Sequence, residues 1–576
     1  MNPRAITRTV YALVGRAAAF ATRTPCILAA EALHCLQFKP ALVRAFLRLR
    51  VATSIFFCVP RHPDRTHMHK DSSDAHTAAG YITDIAYPET FFRELSPVWL
   101  EYVAALGEVP LRALDRPFNY LELGCGLGSS VITHAAAFPG GQFHACDMNP
   151  AHIEQARERV TAFGIRNIQL HQCAFEELQR EALPAFDFIV AHGVYSWVAA
   201  RERRTICELV RDHLEPGGLL YLSYNSLPGW ANEMPLRKLL VELAAGEAGD
   251  TTARAGRALR ALQHIGSGRL KFLDASPACA AAIAAYSRAP IPYVAHEFLN
   301  ATWEPFYGVD VADQLRSAGV EYVGSATLTD NYPALLIDET TLHRIMQLPH
   351  ERQRRLALDF ATNQQFRRDV FWQPTRRGDA GGVDCSLVGS IDDPHRLPAQ
   401  IRVPRGVAHF QPAFMLRLRS LLLRGPMTIG AAVAELGGRC TRAAADEIRR
   451  NLLYLVAAGA LVPFARQPEQ VETAEAVAAR GCKPANGVIE RVLAYSSARQ
   501  TPCVLPSEIL GNGVRLTLAE AASVSRYLEG AGAGAECDSA GPACGGIGSE
   551  GDGAEPEVEA LLRRLLRLGI LKEGRQ

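Results

Sequence analysis

Apolar and polar positions follow two periods between residue 80 and about residue 225. Short apolar runs of the kind found in buried parallel strands alternate with amphipathic stretches of helical period. The predicted strands span 120–123, 142–146, 168–172, 186–191 and 219–223. The predicted helix 151–163 follows Asn149 and Pro150, a cap and a first-turn proline. This order predicts an α/β fold, a doubly wound Rossmann-like sheet with helices on both faces.

The pattern changes after this sheet. Residues 236–410 predict a mainly helical region, in which the proline-, glycine- and arginine-rich stretch 373–405 predicts a linker or long loop. Residues 411–576 predict three helices and a short strand, followed by a weaker repetition of that order, which indicates a winged-helix-like region. The Gly-, Ala- and Ser-rich run 530–555 predicts a flexible loop.

The length and composition of the chain indicate a multidomain globular protein. We divide the 576 residues into 1–67, 68–235, 236–410 and 411–576. Apolar residues make up 48% of the chain and charged residues 21%, which excludes a wholly disordered or fibrous protein. The sequence has no apolar run near the ~20 residues of a membrane span. The 14 scattered cysteines, without a CxxC motif, predict a reduced cytoplasmic protein and no metal site.

Charge is balanced overall but not along the chain. The 61 basic and 60 acidic residues leave a net charge of +1, so the whole chain does not call for a polyanionic partner. Residues 1–65 nevertheless carry ten basic and two acidic residues, a net charge of +8. Three interpretations of the extension 1–67 stay open: a surface-seeking basic helix, a targeting segment, or a reading frame upstream of a true start at Met68.

The strongest chemical signal is the sequence LELGCGLG at 121–128. Three glycines, Gly124, Gly126 and Gly128, follow a predicted strand and precede a helix. Glycines let a backbone approach a ligand closely, and the helix N-terminus offers free N–H groups. Because Glu122 stands two residues before the first glycine, a ligand with a positive amino group fits better than a pyrophosphate. This favours S-adenosylmethionine over a nicotinamide cofactor.

Other cofactor contacts are expected where the second and third strands end. Asp147 follows the second strand, and its carboxylate is suited to accept both hydroxyls of a ribose. Met148 is the adjacent candidate. Ala174 and Phe175 follow the third strand, where backbone groups and an aromatic ring would read an adenine; plain core packing of Phe175 is the alternative.

The fourth and fifth strands end in candidate catalytic and substrate residues. His192 is a candidate base or hydrogen-bond partner, although a structural histidine explains it equally well. The aromatic residues would wall an acceptor pocket, with core packing as the alternative. The candidates are His192, Tyr195, Trp197, Tyr224, Asn225 and Trp230.

Taken together, the motifs resemble one family. They are GYITD at 80–84, LELGCGLG at 121–128, AHGVYSWV at 191–198, LSYNSLPGW at 222–230, YVAHEFLN at 293–300, WEPFY at 303–307 and FRRDVF at 366–371. This set is similar to bacterial class I methyltransferases that carry a methyltransferase regulatory domain, including the rickettsial protein-lysine methyltransferases. The resemblance spans roughly residues 78–470.

The resemblance implies an S-adenosylmethionine-dependent enzyme that methylates protein lysine by in-line transfer. The acceptor amine would lie in an aromatic pocket that includes Trp303, with His296 as a further substrate contact. The middle and C-terminal regions would dock the protein substrate, and a homodimer is one assembly that they allow. A small-molecule or RNA methyltransferase and a non-catalytic S-adenosylmethionine-binding regulator are the alternatives.

Nucleic acid is not an expected partner of the C-terminal region. Its candidate recognition helix carries Arg442, Arg449 and Arg450, but Asp446 and Glu447 lie among them. This mixture of charges is a poor match to a phosphate backbone.

Overall fold

The structure, a computed structural model, describes residues 77–78, 81–82, 89–110, 114–375, 382–468, 482–533 and 555–573. The basic extension 1–67 and the part of the predicted loop that spans 534–554 lie outside the described residues, so both predictions stay untested. Within the described residues, no helix combines the length and the apolar character needed to cross a bilayer.

A seven-stranded sheet forms the centre of the fold. Its strands, in chain order, are β1 Asn119–Leu123, β2 Gln142–Asp147, β3 Ile168–Gln172, β4 Phe186–Ala191, β5 Leu214–Asn225, β6 Glu321–Ser325 and β7 Phe366–Trp372. They are arranged in the order β3-β2-β1-β4-β5-β7-β6. The first five strands are parallel, whereas β7 runs antiparallel to both β5 and β6. The doubly wound Rossmann-like prediction is therefore confirmed, with an antiparallel strand inserted before the last one.

One of the helices between these strands begins and ends at capping residues that the sequence shows. Asn149 caps this helix, since its side-chain oxygen accepts a hydrogen bond from the Ala151 N–H at 3.0 Å, and Pro150 occupies the first turn. The helix ends at Gly164, which is left-handed with φ 68°. The main helices of this part are Pro97–Leu106, Ser129–Ala137, Pro150–Phe163 and Ala200–His213.

Alternate residues of the strands enter two different apolar layers. In β5, Leu219 and Tyr221 pack into one layer, while Leu220, Leu222 and Tyr224 pack into the other. This alternation follows from the two-residue period of a strand. It determines which side chains at the end of each strand can reach a shared site.

The middle region is helical but also completes the sheet. Its main helices are Met234–Ala244, Thr251–Gly266, Pro277–Tyr286, Ile291–Phe298, Gly308–Arg316, Glu339–Met346 and Glu351–Thr362. The sequence pattern did not predict that this region also supplies β6 and β7. Moreover, the stretch 373–405, predicted to be a linker or long loop, contains a strand, Leu387–Gly389, and the first strand of the hairpin Gln400–Val403 with Gly406–His409. The prediction of a linker or loop without strands was therefore wrong.

Two small helical units follow. The first contains Pro412–Leu422, Ile429–Gly437 and Arg442–Ala457, and a three-stranded sheet of Leu387–Gly389, Met427–Thr428 and Val462–Pro463. The second contains Gly487–Arg499, Leu518–Ala533 and Glu555–Arg567, with the hairpin Cys503–Ser507 and Asn512–Leu516. The predicted helices are present, whereas their assignment to winged-helix domains stays a prediction.

Candidate active site

The glycine turn after β1 forms one wall of the candidate site. The N–H groups of Gly124 and Cys125 donate to the carbonyl of Cys146 at 2.9 and 3.0 Å, which ties the turn to the end of β2. Gly126 adopts φ +54°, and a side chain there would enter open space, with no heavy atom within 4 Å. The turn therefore presents bare backbone to a cavity, the arrangement that a close-lying ligand requires.

Asp147, at the end of β2, organises this turn. Its Oδ2 accepts a hydrogen bond from the Gly126 N–H at 2.9 Å, and its Oδ1 accepts one from the Asn149 N–H at 2.8 Å. His152 Nδ1 lies 3.2 Å from the same Oδ1. An ionised carboxylate has about four acceptor sites, so capacity remains for hydroxyl donors from a ligand.

Glu122 is a buried carboxylate that faces the same cavity. It is 5% exposed, and its Oε2 has no hydrogen-bond partner among the described residues. Burial, and secondarily the charge of Asp147, raises the pKa of this carboxyl to about 8. An unsatisfied buried acceptor of this kind fits a ligand that brings a positive amino group. The bare turn, Asp147 and Glu122 together fit S-adenosylmethionine.

A segment before the sheet covers this end of the cavity. The Phe92 ring lies 3.8 Å from the His192 ring, measured between centroids, and its backbone N–H donates to Ser130 Oγ at 3.0 Å. Glu89 forms an ion pair with Arg159 at 2.7 Å. Sequence analysis did not predict a role for this segment because nothing local in it resembles a binding motif.

The cavity has a volume of about 470 Å³ and continues from the glycine turn to the helices of the middle region. Five carboxylates line it, from Glu89, Glu122, Asp147, Glu233 and Glu297. Arg368 is the single arginine among the described residues that line it, and no lysine is among them. The cavity is therefore acidic along its length and suited to cationic ligands.

Aromatic and carboxylate side chains meet at the far end. Glu297 is 7% exposed, and Asn225 Nδ2 lies 3.4 Å from its Oε1. Burial raises the pKa of Glu297 to about 7. Glu233 accepts hydrogen bonds from the Tyr286 hydroxyl and, at 3.1 Å, from Gln365 Nε2. Aromatic rings beside carboxylates are a combination suited to an ammonium group.

The structure brings together nine of the residues predicted from the sequence. These line the cavity: Glu122, Gly124, Gly126, Asp147, His192, Trp197, Asn225, Trp230 and His296. His192 is neutral at ordinary pH, because burial, and secondarily Arg368, lowers its pKa to about 3. Its Nδ1 lies 2.8 Å from the Tyr221 hydroxyl oxygen, so a structural or hydrogen-bonding role suits it better than that of a base.

Tyr195 and Tyr224 do not line the cavity. Both pack in the apolar layer on the opposite side of the sheet, where the Tyr195 hydroxyl donates to Gln314 Oε1 at 2.7 Å and the Tyr224 hydroxyl to Asp369 Oδ2 at 2.5 Å. For Tyr224 the cause is the two-residue period of β5, which directs Asn225 to the cavity and its neighbour away.

Five further predicted residues do not line the cavity. Trp303 packs edge-to-face against Trp230, with 5.1 Å between the ring centroids. Gly128 precedes the helix Ser129–Ala137. Ala174 precedes the short helix Phe175–Leu178, and Phe175 packs against the apolar layer opposite the cavity. Met148 is half-buried at the end of β2. Their predicted roles stay predictions.

Sequence analysis missed four residues that line the far end of the cavity, Glu233, Tyr286, Tyr293 and Glu297. The sequence does contain a signal for Tyr293 and Glu297. Together with the predicted His296 they stand at positions i, i+3 and i+4 of helix Ile291–Phe298, which share one helix face. A carboxylate on such a face within an apolar motif points to a site. Glu233 and Tyr286 reach the cavity through tertiary packing alone, and no local pattern predicts them.

Comparisons with known proteins agree with this architecture. A family model described as a methyltransferase domain matches residues 121–220, and one described as a predicted methyltransferase regulatory domain matches residues 291–373. An uncharacterized protein of Synechocystis sp. is 32% identical over 358 residues, which cover 61% of this chain and 70% of that one. An uncharacterized protein of Rickettsia prowazekii is 26% identical over 294 residues, and the match spans about half of each chain, 49% and 51%.

A solved structure shares the fold. PKMT2 from Rickettsia typhi, in complex with AdoHcy, superposes with a TM-score of 0.60 at 17% identity, covering 84% of this chain and 99% of that one. The fold, the two matched domains and the Synechocystis relative lead to one conclusion. The chain belongs to the S-adenosylmethionine-dependent methyltransferases in which a methyltransferase domain is followed by a predicted methyltransferase regulatory domain.

Proposed function

We propose that this methyltransferase transfers a methyl group to an amine, and that the amine is the side chain of a protein lysine. The observation that carries the proposal is the continuous acidic cavity, which joins the glycine turn to the aromatic and carboxylate side chains of the middle region. Carboxylates favour a cationic acceptor, whereas they repel the phosphates of an RNA.

The cofactor end of this cavity would hold S-adenosylmethionine through three groups. Glu122 would receive the amino group, Asp147 the ribose hydroxyls, and the backbone around Gly126 would lie against the ligand. When bound, S-adenosylmethionine supplies a methyl group on a positively charged sulfur, which is already an activated leaving group. The likeness to PKMT2, whose structure holds AdoHcy, supports this placement.

The acceptor end would align the amine and remove water from it. Trp230 is 7% exposed and packs edge-on against Phe298 at 6.0 Å between centroids, so the wall beside the acceptor is rigid. Tyr293 lines the cavity and is 40% exposed, so the cavity meets solvent beside this ring. A lysine side chain, with a flexible four-carbon stem and a terminal cation, suits such an entrance. Alignment and exclusion of water are the main contributions a protein makes to in-line transfer.

The experiment is incubation of the purified chain with methyl-labelled S-adenosylmethionine and heat-treated bacterial extract. We expect the label in protein and, after acid hydrolysis, in methylated lysine. Asp147→Ala serves as the matched control, because it removes a cofactor contact and leaves the acceptor end intact. Label confined to RNA or to small molecules would replace the lysine proposal with one of the alternative acceptors, and no labelling at all would favour a non-catalytic regulator.

A further inference from the structure

We propose that Glu297 is a catalytic residue that contacts the acceptor amine and accepts the proton that its ammonium group must lose. This inference rests on the proposed function and deepens it, since it names the group that selects an amine and prepares it for transfer. The acceptor class it specifies is a primary or secondary alkyl amine that is protonated in water.

Three elements surround the Glu297 carboxylate in the cavity wall. Its own helix, Ile291–Phe298, places it next to Asn225 at the end of β5, whose backbone N–H donates to Ser196 Oγ at 2.9 Å. The third element is helix Met234–Ala244, from which Arg237 donates to the carbonyl of Asn300 at 2.7 Å. The carboxylate therefore lies where the end of β5 meets the middle region.

The charged and titratable groups around Glu297 leave it available to a cation. Arg237 lies near it, but its guanidinium stacks on the Trp303 ring at 4.8 Å and bonds to a carbonyl. Glu233, which also lines the cavity, accepts hydrogen bonds from Tyr286 and Gln365. Tyr293 and His296 line the cavity from the same helix. A cation that enters the cavity would therefore bind Glu297 rather than Glu233, because Glu297 has the weaker hydrogen bonding within the protein.

Burial brings this carboxylate closer to an amine in basicity. An ordinary glutamate has a pKa of about 4.3 and a lysine about 10.4, a gap of roughly six units. The pKa of Glu297, about 7, reduces that difference by nearly half. Desolvation of the ammonium group in the cavity lowers the pKa of the amine and reduces the difference further. A base whose pKa is close to the working pH is the most effective proton acceptor.

The reaction balances as follows. A proton passes from the ammonium nitrogen to a Glu297 oxygen, which leaves a neutral amine with a free electron pair. That pair forms the N–C bond to the methyl carbon while the C–S bond breaks, and its electrons remain on sulfur as a neutral thioether. The nitrogen is then a methylammonium, and the Glu297 proton leaves to solvent through the cavity mouth beside Tyr293.

The first test is the pH dependence of methyl transfer to heat-treated bacterial protein by the wild type, Glu297→Gln and Glu233→Gln. We expect the wild-type kcat/KM to rise through a pKa near 7 and then level off. Glu297→Gln should lose about 10²-fold at pH 7 and rise continuously with pH instead. Glu233→Gln, the matched control, should raise KM but keep the step near pH 7. Equal pH profiles for the wild type and Glu297→Gln would overturn the inference, while lysine methylation by the wild type would leave the proposed function standing.

The second test does not depend on turnover. Calorimetric titration of the S-adenosylhomocysteine complex with n-butylammonium, in buffers of different ionisation enthalpy, counts the protons released on binding. At pH 7 the wild type should release about half a proton, because Glu297 is about half protonated there and must ionise beside the cation. Glu297→Gln should release none. Unchanged release in this variant, or no binding of the amine to the wild type, would refute the inference.

Discussion

The carboxylate of Asp147 accepts a hydrogen bond from the backbone N–H of Gly126 at 2.9 Å, so one side chain joins the end of β2 to the glycine turn that follows β1. The same carboxylate accepts the Asn149 N–H at 2.8 Å. Asp147 therefore shapes the cofactor end of the cavity before any ligand arrives, in addition to the ribose contact proposed for it. A variant at this position tests both roles.

We expect Asp147→Ala to lower the affinity for S-adenosylhomocysteine by about 10²-fold to 10⁴-fold. A pair of charge-assisted hydrogen bonds is lost, each contributing about 1.5–3 kcal/mol, and about 1.4 kcal/mol corresponds to tenfold. Asp147→Asn should fall in between, because an amide oxygen still accepts. Calorimetry measures the affinity, and circular dichroism checks folding, which Asn149 should preserve as the helix cap. A folded Asp147→Ala protein with wild-type affinity would contradict the cofactor assignment.

We expect the affinity for S-adenosylhomocysteine to increase with pH between 6 and 7.5, by up to about tenfold per unit. The amino group of this ligand favours an ionised Glu122, whose pKa burial raises to about 8, so at lower pH part of the binding free energy is used to remove its proton. Glu122→Gln should bind more weakly at pH 7.5 and show little pH dependence. The measurement is calorimetry across this pH range, and an identical slope in the variant would assign the pH dependence to another group.

The sequence predicts the glycine turn and Asp147 from a local pattern, whereas it misses two carboxylates at the far end of the cavity, Glu233 and Glu297. Glu122, Gly126 and Asp147 belong to a local strand-turn-helix pattern, so their roles depend on residues close in sequence. At the far end, which we propose receives the acceptor, Asn225 and Glu297 meet although they are separated by 72 residues. No local sequence pattern predicts that two residues so far apart in the chain lie side by side.

The composition of β7 explains why the pattern missed this strand. β4 is buried throughout and apolar apart from Asp187, and it is predicted with its observed bounds. β7, in contrast, carries Arg367 and Asp369, which are 9% and 0% exposed. A hydrophobicity pattern assigns such residues to the surface, whereas here they neutralise each other inside the protein.

We expect the buried cluster of Arg367, Asp359 and Asp369 to contribute strongly to stability. Arg367 Nη1 lies 2.5 Å from Asp359 Oδ1, and its Nε lies 2.9 Å from Asp369 Oδ2. Arg367→Met leaves two buried carboxylates uncompensated, so the free energy of unfolding should fall by about 3–5 kcal/mol. Arg352→Ala is the matched control: it also breaks two ion pairs, but exposed ones with Asp310 and Asp313, and should cost no more than about 1 kcal/mol. Urea unfolding gives both values, and similar losses would show that the cluster is not a special determinant of stability.

The hairpin of the second small unit contacts the methyltransferase domain at Gly511, and this contact should be sensitive to a single methyl group. Gly511 has φ +62°, and a Cβ atom there would lie 2.6 Å from Val98 Cγ2 and 2.7 Å from Phe138 Cζ. Gly511→Ala should therefore cost about 1–3 kcal/mol beyond the backbone strain of a left-handed residue, since both neighbours belong to a packed core. Gly319→Ala isolates that strain, because Gly319 has φ +88° and open space around its Cβ position, and should cost about 1–2 kcal/mol. Thermal and urea unfolding of the full chain compare the two, and equal losses would mean that the hairpin moves aside without cost.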